Sequence, residues 1–224
     1  MDFKIVLVPA TDLSSPLYLS LCRLKYDILV LEQQKTVDHC DHRQRLVMDV
    51  LDKHAVTLVA LKGDEVIGSI RLNFPGDHPP DYSLLKDNYR LDLFEDTGIL
   101  SETFTVTRFL IATPYRNSRV AFQLVTAATA YTYTILHKTL SIVGSTAAIY
   151  RFHSRLGYRR YTAEPVLFSE GMYVYPMVAD LSNTHSLEAV RSPLVSLLGE
   201  NQKQIPGISS IVDGFVQRSP QLIT

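Results

Sequence analysis

Ser101-Glu-Thr-Phe-Thr-Val-Thr-Arg-Phe-Leu-Ile-Ala112 is the stretch from which the fold can be read. It is rich in Thr, Val, Phe and Ile and alternates in polarity, which predicts a long strand; Thr113-Pro114 ends it, because proline donates no ladder hydrogen bond. Residues 118–138 follow at once as a long helix, with Val120, Phe122, Leu124, Val125, Ala128, Tyr131 and Ile135 expected to be buried over much of its surface. Residues 140–143 make a further short strand. Strand, tight turn, long helix and strand form a βαβ unit, which demands a parallel pair of strands.

Outward from that unit the chain keeps clear punctuation. Residues 3–8 read as a first strand. Leu17, Leu21, Leu24, Ile28 and Leu31 recur every three or four residues and predict a helix over 16–31, with Ser14 or Ser15 as its cap. The polar stretch 33–42 breaks that pattern. Residues 56–61 and 65–72, joined by Lys62-Gly63-Asp64, form the clearest antiparallel hairpin. Residues 75–80, with Gly76 and three prolines, are a loop leading to a short helical segment over 84–94. After the βαβ unit, residues 146–156 predict a second helix, stopped by Gly157, and strands follow over 159–162, 166–168 and 172–180. Two short helical patterns, 186–198 and 208–216, close the chain. The expected organisation is a domain over 1–181 and a helical appendage over 182–224 packed on it.

The 224 residues are 46% apolar and 20% charged, with mean hydropathy +0.05, enough apolar material for a substantial core. A formal charge of −1 gives no global field to recruit nucleic acid, and no apolar run approaches the roughly 18 to 20 residues that cross a bilayer. Cys22 and Cys40 cannot define a disulfide framework and no secretory signal opens the chain, so a cytoplasmic protein is expected. His39, Cys40 and His42 lack a second half with ligand spacing, and a polar surface turn is expected there rather than a metal site.

Ile149-Tyr-Arg-Phe-His-Ser-Arg-Leu-Gly-Tyr158 resembles the helix ending in Tyr-x-x-x-Gly-Phe of the GNAT superfamily of N-acyltransferases. Arg108-Phe-Leu-Ile-Ala-Thr-Pro-Tyr-Arg-Asn-Ser-Arg-Val-Ala121 is similar to the strand, acyl-donor loop and helix of the same superfamily. Within it the front half resembles the branch of acyl-homoserine-lactone synthases and long-chain N-acyl amino acid synthases. The residues that carry this are Lys25-Tyr-Asp-Ile-Leu-Val-Leu-Glu32, Asp49-Val-Leu-Asp52, Gly68-Ser-Ile-Arg71, Thr107-Arg108-Phe109 and Tyr175-Pro-Met-Val-Ala-Asp-Leu181. The resemblance covers roughly residues 5 to 180. It implies an α/β, GNAT-like mixed sheet, mostly antiparallel, with a central splayed parallel pair flanked by helices and C-terminal helices added. It also implies an acyltransferase that takes an acyl chain, fatty acyl above all, from acyl carrier protein or acyl-CoA and gives it to an amine. No bound cofactor is implied, because the thioester is a co-substrate. An ordinary acetyl-CoA-dependent acetyltransferase and a non-catalytic acyl-thioester-binding module stay open as alternatives.

Such transfer needs a docked pantetheine arm, donors for the tetrahedral oxyanion and a route for the amine's proton. The resemblance assigns the arm to the backbone of Phe109, Leu110 and Ile111, and the phosphate to the following turn and helix start, Arg116, Asn117, Ser118, Arg119, Val120 and Ala121. The superfamily's loop carries glycines that this chain lacks: all 10 of its glycines lie outside residues 99–143. A side chain there narrows a pyrophosphate cradle, which favours the single phosphate of carrier-protein phosphopantetheine. Arg116 and Arg119 are expected to meet that phosphate or acidic carrier-protein residues, two solvated arginines being the alternative.

His153 stands where many members have tyrosine and is a candidate proton donor or acceptor, with a core histidine as the alternative. Tyr150, one turn earlier, is its substitute candidate. The branch's glutamate position reads Thr105, so Glu102, at odd spacing on the opposite face, would have to reach through a bulge; a water relay or an acceptor arriving deprotonated would serve instead. The resemblance also implies that Lys25, Glu32, Asp49, Asp52, Arg71 and Arg108 form an ion-pair network, since the matching positions in the branch hold the amino-terminal lobe over the cleft; it is either structural or binds the acceptor, and inward-facing charges must be paired.

Overall fold

A computed structural model of the chain describes residues 2–8, 13–80, 82–169 and 172–198. In chain order they form β1 (Lys4–Val8), α1 (Pro16–Tyr26), β2 (Cys40–Asp41), β3 (Leu46–Val47), β4 (Ala55–Lys62), β5 (Glu65–Asn73) and α2 (Tyr82–Tyr89). Then come β6 (Thr103–Ile111), α3 (Arg119–Ala130), β7 (Leu140–Ser145), α4 (Tyr150–Leu156), β8 (Arg159–Arg160), β9 (Val166–Ser169), β10 (Met172–Asp180), α5 (Thr184–Ala189) and α6 (Val195–Leu198). The result is a mixed α/β fold in which every strand and the main helices expected from the sequence are present. The small hairpin of β2 and β3, inside and beyond the polar break, is an addition that its composition did not announce. The helical pattern over 208–216 lies outside the described residues.

The chain divides into two compact units. The first comprises residues 1–73 and 107–128. Its sheet runs β1-β4-β5-β6, with β1 antiparallel to β4 (Lys4↔Leu61 to Val8↔Thr57) and β4 antiparallel to β5 (Ala55↔Asn73 to Lys62↔Glu65). Gly63 turns the hairpin at φ 61°, a left-handed value natural to glycine. Gly68 lets α3 lie close on one face of β5. A Cβ built there would sit 3.0 Å from Ile111 Cδ1 and Leu124 Cδ1 and 3.1 Å from Val120 Cγ1. Ser69 and Arg71 alternate to the opposite face, the side of α1, where Lys25 lies.

Ser15 caps α1, accepting from the Tyr18 N–H, and Pro16 sits at the first helical position, where its missing donor costs nothing. Beyond Tyr26 the helix widens into a π-helical turn over Asp27–Glu32, with Gln33 N donating to Ile28 O at 2.9 Å. The extra residue per turn rotates the phase of the apolar stripe. Leu31, expected to be buried, is 51% exposed instead. The same happens after α3, where a π-helical turn over Tyr131–Ile135 leaves Ile135 62% exposed. Phe122 also departs from expectation, being exposed.

The second unit comprises residues 74–106 and 129 onward. Here β6 runs parallel to β7 (Thr103↔Leu140 to Val106↔Val143), as the βαβ unit requires. β10 lies antiparallel to β7 (Leu140↔Asp180 to Ser145↔Tyr175) and pairs on its far side with β8, while β9 pairs with the start of β10. Gly157 ends α4 in the left-handed conformation, φ 104°, its N–H reaching the carbonyls of His153 and Ser154. Leu187, Leu194 and Leu198 are buried, and Ser192 Oγ donates to Leu156 O at 2.7 Å, so α5 and α6 pack against the end of α4. No helix among the described residues is long and apolar enough to cross a membrane.

Candidate active site

Five of the six predicted ion-pair residues come together in the first unit. Lys25 from α1 reaches Asp52 Oδ2 at 2.5 Å, and Arg71 from β5 places Nη1 2.9 Å from Asp52 Oδ1 and 3.1 Å from Asp49 Oδ1. Arg108 from β6 binds Asp49 Oδ2 through Nη2 and, at 2.7 Å, through Nε. Asp49 also accepts from Leu51 N at 3.0 Å and so caps the short 3-10 helix Val50–His54, which holds the two carboxylates a turn apart. Neutral side chains extend the network: Tyr18 OH donates to Asp52 Oδ2 at 2.8 Å, Arg71 Nε to Thr107 Oγ1 at 2.8 Å, and Thr107 Oγ1 to Asn73 Oδ1 at 3.0 Å. Tyr18 carried no signal in the sequence beyond its place on a helix.

The charges settle accordingly. Burial opposes ionisation of Asp49 and Asp52, yet the surrounding cations hold both carboxyls below the usual range. Burial, then the neighbouring Asp52, pushes the Tyr18 phenol well up, so it stays a donor. Three cations face two carboxylates, leaving an excess of one positive charge. Arg108 is the partly exposed member, and it takes φ 46°, a left-handed backbone that a non-glycine residue adopts at a cost of order 1 kcal/mol or more. Ser69 Oγ donates to the carbonyl of Arg108 at 3.1 Å and holds this kink. Lys35 stands close by. Burial, then the Arg108 charge, draws its pKa down.

Glu32 is not part of that cluster. It accepts two parallel hydrogen bonds from Arg116, Oε1 to Nη1 at 2.6 Å and Oε2 to Nη2 at 2.7 Å, and a third from Thr113 Oγ1 at 2.9 Å. The π-helical turn that exposes Leu31 also carries Glu32 to this loop, away from the cluster with which the resemblance grouped it. Those hydrogen bonds, Arg116 first, lower its pKa. The Arg116 guanidinium is thus engaged by Glu32 and, through Nε at 3.1 Å, by Ile111 O. Among the residues expected to form the donor loop, Asn117 turns the chain at φ 61°, and Ser118 Oγ donates to Tyr115 O at 2.6 Å and accepts from Val120 N at 3.3 Å. Arg119 opens α3 as an exposed cation, with Val120 buried and Ala121 half-buried behind it. Phe109, Leu110 and Ile111 continue β6 beyond the kink.

The proton-transfer candidates lie in the second unit. His153 is 5% exposed, its Nδ1 meets no hydrogen-bond partner among the described residues, and burial lowers its pKa to about 4. At neutral pH it is an uncharged imidazole packed beside Phe152 and Tyr158. Tyr150 is half-buried with its ring edge-on to Tyr175 at 6.2 Å. Glu102 ends a 3-10 turn just before β6 and is not on the strand; the left-handed kink falls at Arg108, six residues later, so no bulge carries Glu102 to the other face. At the predicted surface turn, His42 Nδ1 lies 3.1 Å from Tyr26 OH, and no group of three metal-ligating side chains occurs among the described residues.

Residues 24–126 match the family model described as Acetyltransferase (GNAT) domain. No curated protein matches the chain. Among solved structures it is similar to BjaI, a CoA-dependent acyl-homoserine lactone synthase solved with SAM and isopentyl-CoA: 17% identity, 86% of this chain and 91% of that one covered, TM-score 0.61. It is similar also to FeeM, an N-acyl amino acid synthase from uncultured soil microbes, at 14% identity over 87% of this chain and 98% of that one, TM-score 0.61. The Escherichia coli protein ElaA matches at 18% identity over 80% of this chain and 100% of its own, TM-score 0.55. At these identities the likeness is one of fold.

Proposed function

We propose that this chain, whose residues 24–126 match the GNAT acetyltransferase domain model, is an acyltransferase moving a fatty acyl chain from an acyl carrier protein or acyl-CoA thioester to an amine such as an amino acid or a peptide side chain. The observation that carries the reading is β6. Its parallel register with β7 ends at Val106, and the strand then kinks at Arg108 and continues through Phe109, Leu110 and Ile111. Backbone amides displayed along such a strand suit the amides of a pantetheine arm and the carbonyl of its thioester, where a developing oxyanion needs preorganised donors. The thioester is the co-substrate and carries the activated acyl group.

Donor choice follows from the loop. Glu32 brings a carboxylate to the place where a diphosphate would approach, and it neutralises Arg116, leaving Arg119 as the exposed cation at the start of α3. A donor with one phosphate loses less there than coenzyme A does. On the acceptor side, a cluster with more basic than acidic side chains, Arg108 its partly exposed member and Lys35 beside it, favours an amine that also bears a carboxylate. His153, neutral and buried, is a poor reservoir for a proton at pH 7, so the amine's proton leaves through water or the acceptor arrives deprotonated. The two free cysteines suit a cytoplasmic protein.

The test is thiol release. The protein is incubated with long-chain acyl carrier protein, long-chain acyl-CoA or acetyl-CoA and an amine mixture. Release with the long-chain donors is expected. Turnover confined to acetyl-CoA contradicts the fatty-acyl reading, and binding of the thioester without any turnover contradicts the enzyme.

A further inference from the structure

In the second unit, Arg160 is a buried cation with no carboxylate partner among the described residues. It is 7% exposed. Lys25 and Arg71, still more deeply buried, each face a carboxylate. Arg160 has only two backbone carbonyls, those of Thr162 at 3.1 Å and of Ala163, both on Nη2, and the ring of Tyr175, whose centroid lies 4.5 Å from the guanidinium carbon. Its Nε is sealed from solvent and makes no hydrogen bond. A guanidinium cannot shed its proton to escape burial, so both the charge and the unused donor persist. Buried polar groups are overwhelmingly satisfied in native proteins, and this one calls for an acceptor that carries negative charge.

The surroundings suit a ligand. Residues directly opposite each other on paired strands share a face, which places Arg160, Met177 and Val143 on one face together with Tyr175 and Ser145. Ser141, opposite Ala179, shares that face too, and its Oγ lies 2.6 Å from Tyr158 OH, just beyond α4. The ring of Tyr150, on α4, stands edge-on to Tyr175. Both tyrosines are half-buried, and Ala147 and Ala148 just before α4 are exposed, so the aromatic pair reaches solvent on this side.

We propose that Arg160 anchors a binding site for a small carboxylate whose apolar or aromatic body rests on Tyr175 and Tyr150. A carboxylate would accept from the guanidinium, whose Nη1 and Nε carry no hydrogen bond to the described residues. Phosphate fits less well, because it needs more donors than a guanidinium with Nη2 already committed to two carbonyls can offer. The site depends only on the second unit and holds whether or not the chain transfers acyl groups.

Equilibrium titration of the full chain with 3-phenylpropanoate, its neutral isostere 3-phenylpropanamide and inorganic phosphate tests it. The wild type should bind the acid at least tenfold more tightly than the amide and should bind the acid more tightly than phosphate. Arg160→Met should bind acid and amide alike, and Arg160→Lys, which keeps the charge without the planar fork, should lose most of the preference. Equal binding of acid and amide by the wild type overturns the proposal, as does a preference for phosphate or an acid preference that survives Arg160→Met. Where the methionine variant does not fold, Arg160→Lys decides the matter: an acid preference left undiminished in it overturns the proposal.

Discussion

Acidification of His153 offers a prediction that can be worked through in numbers. The imidazole is 5% exposed and its folded pKa is lowered from 6.5 to about 4 by burial. The unfolded chain therefore takes up a proton before the folded one does, and stability falls as pH drops below the unfolded value. Each pKa unit is worth about 1.4 kcal/mol, so by about pH 5 this one residue removes roughly 2 kcal/mol, and about 3 kcal/mol once the pH is below 4. Urea denaturation of the wild type and of His153→Leu, each at about pH 7.5 and pH 5, isolates the effect, because the other six of the seven histidines are common to both proteins. The wild type should lose roughly 2 kcal/mol more than the variant over that interval. Identical pH dependence in the two proteins, or an NMR titration that places His153 near 6.5, would refute the reasoning and return this residue to the list of proton donors.

Further outcomes follow from the same physical account. Asp52→Asn leaves Lys25 and Arg71 without their shared carboxylate and should cost roughly 3–5 kcal/mol in urea denaturation; a loss under about 1 kcal/mol would contradict a buried, coupled network. Gly68→Val drives methyl groups into Ile111, Val120 and Leu124 and should cost at least about 1–3 kcal/mol by thermal unfolding, whereas an unchanged melting temperature would mean that α3 does not lie close on β5. Glu32→Gln breaks an exposed pair, so stability should move by no more than about 1 kcal/mol. In the same variant Arg116 becomes available to phosphate, and KM for acyl-CoA should fall relative to that for an acyl-pantetheine lacking phosphate; an unchanged ratio of the two KM values would remove Glu32 from donor selection.

Residues 101–143 carried most of the fold legibly, since proline after a β-branched run and an unbroken helical pattern leave few alternatives to a βαβ unit. The charged cluster was legible for a different reason. Lys25, Asp49, Asp52, Arg71 and Arg108 stand at positions that resemble those of the synthase branch, and charges that face inward must be paired. Glu32 was grouped with them by the resemblance alone; the π-helical turn over Asp27–Glu32 alters the phase by enough to send Leu31 to solvent and Glu32 to Arg116. Phe122 and Ile135 show the same limit of periodicity, which reports an apolar stripe but not which part of it stays covered. Arg160 gave no signal at all. Its single oddity, a buried charge without a counter-charge, exists only once β8, β10 and the 162–163 turn are assembled.

The central claim is that a thioester-bound acyl chain passes to an amine on this fold. It is tested most directly by mass spectrometry of the amine mixture after incubation with long-chain acyl carrier protein or long-chain acyl-CoA. The account predicts an acceptor, an amino acid above all, heavier by the acyl group less one hydrogen, formed together with free thiol. Thiol released with no acylated amine, or acylation with acetyl-CoA alone, would contradict it.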